Sequence, residues 1–113
     1  MNNQIILIGR LVKTSEETAE NGAKKVIATL AVPQSFKNID GEYDTNFIDC
    51  TLWNGIAQCT LDYIRKGDLV GIRGRIQRID TEKPVELIAE RLTFLSSQNQ
   101  ALKEYRKEEN EEE

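Results

Sequence analysis

Phe47-Ile48-Asp49-Cys50-Thr51-Leu52-Trp53 decides how this chain is read. Its residues alternate without a break. Ile48, Cys50 and Leu52 fall on one side, and Phe47, Asp49, Thr51 and Trp53 on the other. A period of two marks a strand with one face in a core and one in water. The small apolar set suits the core. The other face carries an aromatic ring at each end, beside polar groups. Large rings are normally buried, so a pair on a wet face requires a partner. Either they stack on flat ligands, of which nucleic-acid bases are the commonest, at roughly 1–3 kcal/mol per base, or they pack under a loop or against another subunit.

Upstream, Ile5-Ile6-Leu7-Ile8 and Leu11-Val12 form a first apolar strand, with a bulge or sharp bend expected at Gly9. Residues 14–24 are polar, and Asn21-Gly22 marks a turn. Val26 to Val32 is a second strand, rich in β-branched residues, and Pro33 is expected to end it. Residues 34–46 form a polar hairpin loop with Asp40-Gly41 at its tip. Phe36, Ile39 and Tyr43 sit in this loop beside Lys37, and either fold back on the body or meet a ligand. Downstream, Asn54 is placed to cap a helix and Gly67 to close it. Ala57, Leu61 and Ile64 repeat at helical spacing, with Arg65-Lys66 in the last turn. Leu69 to Ile79 alternates again, with Val70, Ile72, Gly74 and Ile76 inward and Gly71, Arg73, Arg75 and Gln77 outward. DTEKP at 80–84 is a tight connection, and residues 85–95 make the last strand.

Five strands with one short helix between the third and fourth is the plan of the OB-fold, an all-β, five-stranded Greek-key barrel. Gly9, Gly71 and Gly74 inside strands suit a tightly coiled barrel. Residues 1–95 are expected to form this domain. Residues 96–113 read as a flexible acidic tail, because Ala101, Leu102 and Tyr105 are too few apolar groups to dock a helix.

Composition narrows the function. A chain of 113 residues fits one domain. No apolar run is long enough to cross a bilayer, and Met1-Asn2-Asn3-Gln4 lacks the basic start of a secretory leader. A cytoplasmic protein is therefore expected. Cys50 and Cys59 have no C-x-x-C spacing and read as buried free thiols, with no metal site and no cofactor. The chain has no histidine. That removes the usual general base and the usual zinc ligand. With no glycine-rich phosphate loop either, an enzyme is disfavoured. Asp49 and Asp68 read as a sheet-surface charge and a turn residue.

The net charge of −4 argues at first against a nucleic-acid partner. Its distribution changes this. Residues 96–113 hold three of the 15 basic groups and six of the 19 acidic ones. The body is thus close to neutral, and a near-neutral body binds phosphates when its charges are segregated by face. The third strand offers Phe47 and Trp53, the fourth Arg73 and Arg75, and the preceding loop Phe36, Lys37 and Tyr43. Rings interleaved with cations suit sequence-tolerant binding of single strands, with bases on the rings and phosphates on the cations. Duplex readout is disfavoured, since no basic helix is available to enter a major groove. The alternative for Arg73 and Arg75 is ordinary pairing with acids on neighbouring strands.

Ile8-Gly9-Arg10-Leu11, Leu30-Ala31-Val32 and Phe47-Ile48-Asp49-Cys50 with Trp53 resemble the bacterial and phage single-stranded DNA-binding protein family. So do Tyr63-Ile64-Arg65-Lys66-Gly67 with Leu69-Val70-Gly71, then Gly74-Arg75-Ile76-Gln77, and the ending Glu86 to Leu95. These pieces occur in the family's order across residues 1–95. The resemblance implies an OB-fold oligomer, usually a homotetramer, that coats single-stranded DNA in replication, repair and recombination. It carries the family's base-stacking rings onto Phe36, Phe47 and Trp53. Arg10, Lys37, Arg73 and Arg75 are the candidates for phosphate contacts. Two departures stand out. The hairpin between the last two strands is cut to DTEKP and lacks the family's further aromatic. The sequence also ends in Glu111-Glu112-Glu113 without the Pro-Phe tip through which family members dock replication and repair proteins. These point to a phage, plasmid or mobile-element member, or a secondary paralogue. An OB-fold protein–protein adaptor of primosome type is the alternative, with the exposed rings as its interface.

Overall fold

The computed structural model describes residues 1–97. Five strands and one helix follow in the expected order: β1 (Ile5–Thr18), β2 (Lys24–Lys37), β3 (Tyr43–Trp53), α1 (Asn54–Tyr63), β4 (Leu69–Gln77) and β5 (Glu86–Ser96). They close into a barrel in the order β1-β2-β3-β5-β4. The long β1 serves two neighbours. Ile5 to Arg10 pairs with β4, and Arg10 to Thr18 pairs with β2. All pairings are antiparallel except one, where Cys50 and Thr51 of β3 run parallel to Leu87 and Ile88 of β5 and shut the barrel. This is the OB-fold topology.

The inward face of each strand supplies the core. Leu11, Val26, Ala28, Leu30, Cys50, Leu52, Val70 and Ile72 are all buried. α1 packs Ala57 against this cluster, and Ile64, just after it, is buried there too. Thr60 of α1 is buried as well; its hydroxyl donates to the Ile56 carbonyl at 2.9 Å.

Several local expectations change. Gly9 lies flush in the ladder opposite Val70, without a bulge. The irregularity falls between Leu11 and Lys13. There the Leu11 N–H donates to the Asp68 carbonyl at 2.9 Å, and the Leu11 carbonyl accepts from the Gly67 N–H at 2.8 Å. Leu11 still pairs with Leu30 and Lys13 with Thr29, so Val12 is the extra residue, next to the point where the turn before β4 binds the Leu11 backbone. What Gly9 provides is room, since a Cβ there would lie 2.7 Å from the Ala31 carbonyl oxygen.

β2 does not end at Pro33. It continues to Lys37, with a register shift between Pro33 and Lys37. Proline cannot donate to a ladder, and regular pairing resumes only at Lys37 opposite Tyr43. The β2–β3 tip is stapled by Asn38. Its side-chain oxygen accepts from the Asp40 and Glu42 N–H groups, and its amide donates to Asp44.

α1 is shorter than expected. No side chain caps its start, and Asn54 sits at φ +50° at the strand–helix junction, a conformation that asparagine tolerates better than most residues. The helix stops at Tyr63, so Arg65 and Lys66 lie in the turn beyond it. Asp68 is the buried organiser of that turn, accepting from the Arg65 N–H at 2.8 Å. Cys59 is exposed on the helix, not buried, and Ile76 is 45% exposed where β4 leaves the core. β5 runs one residue past the expected domain boundary, to Ser96. The expected acidic tail falls on residues 98–113, outside the described residues.

Closure of the barrel depends on close backbone approach at Gly74. A Cβ there would collide with the Ile88 carbonyl oxygen and press on Ala89. Both are main-chain atoms and cannot rotate away. Gly74→Ala is expected to destabilise the fold by about 1–3 kcal/mol, the usual cost of overpacking. Urea denaturation monitored by circular dichroism measures this as a lower midpoint.

Candidate nucleic-acid interface

The outward face of β1, β2 and β3 is organised by register. Residues directly opposite each other in an antiparallel pair share a face. The pairing therefore lines up cross-strand rows: Arg10–Ala31–Phe47, Lys13–Thr29–Asp49, Ser15–Ile27–Thr51 and Glu17–Lys25–Trp53. Phe47 stands at one end of these four rows and Trp53 at the other, six residues or about 20 Å apart.

In the first row, Phe47 is 67% exposed. Only the small Ala31 lies between its strand and Arg10, so the backbones of Arg10 and Phe47 are about 10 Å apart across two strand spacings. The Arg10 Nη1 donates to the Gly67 carbonyl at 3.0 Å, which fixes the side chain near the β4 turn. Beside this row opens a cleft of about 410 Å³, lined by Ile8, Arg10, Ala31, Pro33 and Thr45.

The second row explains an acid on this face. The Thr29 hydroxyl donates to the Asp49 carboxylate at 2.6 Å, holding it down on the sheet. Thr29 and Thr51 are themselves buried, so small residues floor the space between the two rings.

The last row presents Trp53 half-buried under a cation. The Lys25 Nζ lies 5.6 Å from the ring centroid, a cation–π arrangement. Lys25 also reaches Glu17 at 3.6 Å and Glu86 at 3.8 Å. It holds one side of the indole in place. Arg75 joins this end. It lies opposite Ile88, which in turn pairs with Thr51. Its Nη2 donates to Gln77 at 3.4 Å, and the Gln77 amide donates to Glu86 at 3.5 Å.

The remaining expected residues lie elsewhere. Arg73 is flanked by Ile6 of β1 and Arg91 of β5. It lines a separate cleft of about 310 Å³ with Ile6, Ile8, Gly71 and Leu95. The structure does not bring it together with Phe47 and Trp53. Phe36 is 65% exposed in the register-shifted part of β2. Its neighbour Lys37 faces Tyr43, with Nζ 5.8 Å from that ring, so alternation turns Phe36 to the other side of the hairpin arm. Tyr43 was among the rings offered by the loop but not among the stacking positions the resemblance carries over, and Lys25 was absent from the expected contacts. Tyr43 is in phase with Phe47 along the sequence, a signal hidden by reading residues 34–46 as loop. Lys25 is visible only once the β2–β3 register is known.

A closed five-stranded OB barrel with solvent-facing rings and cations on one wall is the architecture of nucleic-acid-binding modules. The description "Single-strand binding protein family" matches residues 2–95. The chain is 46% identical over 78 residues to "Single-stranded DNA-binding protein B" of Bacillus subtilis (strain 168), covering 68% of this chain and 69% of that protein. It is 36% identical over 107 residues to "Single-stranded DNA-binding protein A" of the same strain, covering 88% of this chain and 62% of that protein. Among solved structures, a deletion mutant of the single-stranded DNA-binding protein from Thermus aquaticus superposes with a TM-score of 0.66 at 24% identity, over 86% of this chain and 52% of that one. The protein priB from Ralstonia solanacearum gives 0.65 at 16% identity, over 84% of this chain and 100% of that one. At those identities the two structures speak for the fold alone. The chain belongs to the single-strand binding protein family.

The two thiols differ in chemistry. Burial, with the Asp49 charge adding to it, pushes the Cys50 thiol up from 9.0 to about 12. It therefore stays protonated at any pH where the fold is used, and thiolate is the reactive form. Cys59 is exposed. At pH 8 a thiol reagent is expected to label one cysteine per native chain, Cys59, and the second only after unfolding in guanidinium. Cys59→Ser should leave a native protein that does not label.

Proposed function

We propose that this protein binds single-stranded DNA without sequence preference, coating and protecting it during replication, recombination and repair. The observation that carries the reading is the pair of cross-strand rows Arg10–Ala31–Phe47 and Lys25–Trp53. In the first, a cation of β1 shares a row with a ring of β3 across Ala31, and in the second a cation of β2 lies over a ring of β3. Bases take the rings and phosphates take the cations. Phe47 and Trp53 are the principal stacking positions, with Arg10 and Arg75 beside them as phosphate partners. Phe36 and Lys37 act from the hairpin arm. Arg73 is the weakest of the candidates by position. The role is one of binding, not catalysis. No helix among the described residues is long and apolar enough to cross a membrane, and we place the protein in the cytoplasm with the nucleoid. The priB likeness is weaker support for an adaptor, since it rests on fold alone.

The protein also assembles with copies of itself in this reading. Ile5 to Gly9 of β1 pairs on one side only, with β4, which leaves the other edge of that segment open. Beside it Ile6, Ile8 and Leu95 are exposed around the Arg73 cleft. An open strand edge next to an apolar wall favours a symmetric dimer, and two dimers make the tetramer.

Trp53 is the single tryptophan, so binding has a built-in signal. Its fluorescence is expected to be quenched by oligo-dT, and Trp53→Ala should weaken binding about tenfold or more. Unchanged emission and affinity would refute the stacking role, and equal affinity for duplex would refute single-strand preference. Light scattering is expected to give a dimer or tetramer at micromolar concentration. A monomer rules out the edge pairing.

A further inference from the structure

The β2–β3 ladder carries the same unit at both of its ends. At the barrel end Lys25 of β2 lies opposite Trp53 of β3, with the ammonium 5.6 Å from the ring centre. At the arm end Lys37 of β2 lies opposite Tyr43 of β3, with the ammonium 5.8 Å from the ring centre. Ala31 and Phe47 stand between them. On β2 the positions 25, 31 and 37 are evenly spaced. On β3 the rings at 43, 47 and 53 share one parity, so all three belong to the same side of the strand.

We propose that Tyr43 with Lys37 is a further stacking station for single-stranded nucleic acid, which extends the path of the bound strand from Trp53 through Phe47 out along the hairpin arm. The proposal rests on the single-strand binding reading above and names an additional subsite of it. From Trp53 to Tyr43 the row spans ten residues, about 30 Å of extended strand.

Three features fit this role. Tyr43 is 57% exposed, so a face of the ring is open to a base. Between the two rings on β3 stands only Thr45 on that side, opposite Pro33, and Thr45, Pro33 and Ala31 form one side of the cleft of about 410 Å³ whose other side is Ile8, Arg10 and Leu69. Small residues there let a strand bridge the two rings without obstruction. Finally, the two lysines differ in charge balance. Lys25 is held by Glu17 and Glu86, whereas Lys37 has no ion pair among the described residues. Of the nearby acids, Asp44 is bonded to the Asn38 amide on the other side of the arm, and Asp40 and Glu42 belong to the tip. Lys37 is therefore the better placed of the two to take a phosphate. The short β4–β5 hairpin offers no ring at the Trp53 end, so the path gains length in the opposite direction.

The test uses the full chain and a ladder of oligo-dT lengths, followed by Trp53 quenching. Tyr43 stands on the arm outside the core, and Tyr43→Phe, Tyr43→Leu and Tyr43→Ala are compared with the parent. On the shortest oligomers that bind, all four are expected to match. As length grows, the parent and Tyr43→Phe should gain affinity while Tyr43→Ala and Tyr43→Leu fall behind by roughly tenfold. Lys37→Gln should reduce the dependence of log K on log salt by about 0.7, the share of one phosphate on a single strand. If Tyr43→Ala tracks the parent at every length while Trp53→Ala is weakened, the station is overturned and single-strand binding stands. If Tyr43→Leu keeps full affinity, stacking is overturned at this position. If the parent itself does not bind oligo-dT, the underlying reading fails, and this subsite with it.

Discussion

The register of β2 against β3 is the constraint on which both core and binding face depend. Nine consecutive pairs, from Lys25–Trp53 to Pro33–Thr45, hold the two strands in phase. Because side chains alternate, one setting of this register sends Val26, Leu30, Cys50 and Leu52 inward and Phe47 and Trp53 outward. A slip of one residue would reverse every one of them. Burying the aliphatic set therefore also exposes the rings. The energetic cost of leaving aromatic surface in water is not separable from the gain of closing the barrel, since the same ladder produces both.

Much of this was legible in the sequence because it rests on local periodicity. Alternation in residues 47–53 and 69–79 identified two strands, although the second stops at Gln77 and its Ile76, expected inward, is 45% exposed. Glycines at 9, 71 and 74 suited a tightly coiled barrel; at Gly9 and Gly74 the neighbouring backbone leaves no room for a Cβ, whereas at Gly71 a Cβ would make only ordinary contact. What escaped was non-local. The irregularity near Leu11 arises from hydrogen bonds to Gly67 and Asp68, more than fifty residues away. No pattern around Gly9 encodes that. The continuation of β2 through Pro33 was hidden for a different reason. Proline disfavours a ladder by removing a donor, but tertiary pairing with β3 outweighs this once a register shift absorbs the missing bond.

The candidate site divides in the same way. The outward placement of Phe47 and Trp53 was legible because they sit in a strict alternation. Arg73 and Arg75 looked equivalent by that rule, two residues apart on one strand. In a closed barrel, however, successive outward residues of a tilted strand face different neighbours. Arg73 stands between Ile6 and Arg91, and Arg75 lies toward Ile88 and Thr51. Alternation reports which side of a sheet a residue takes, not which wall of a barrel. Lys25 shows the converse. Nothing about it is unusual in sequence, yet it meets Trp53, Glu17 and Glu86 because four strands converge at that end.

That convergence shapes how grip on a ligand responds to ionic strength. Protein cations that already sit beside carboxylates add little to counterion release when a phosphate arrives, because a carboxylate must first let go. Each phosphate newly neutralised on a single strand contributes about −0.7 to the logarithmic salt slope. In the proposed binding, the indole end, clamped by an internally compensated lysine, would hold mainly by ring contact, which salt does not screen, and the salt dependence would come from the cations without a carboxylate partner. That end of the path would keep its grip in brine where a contact built on a bare ammonium group would let go.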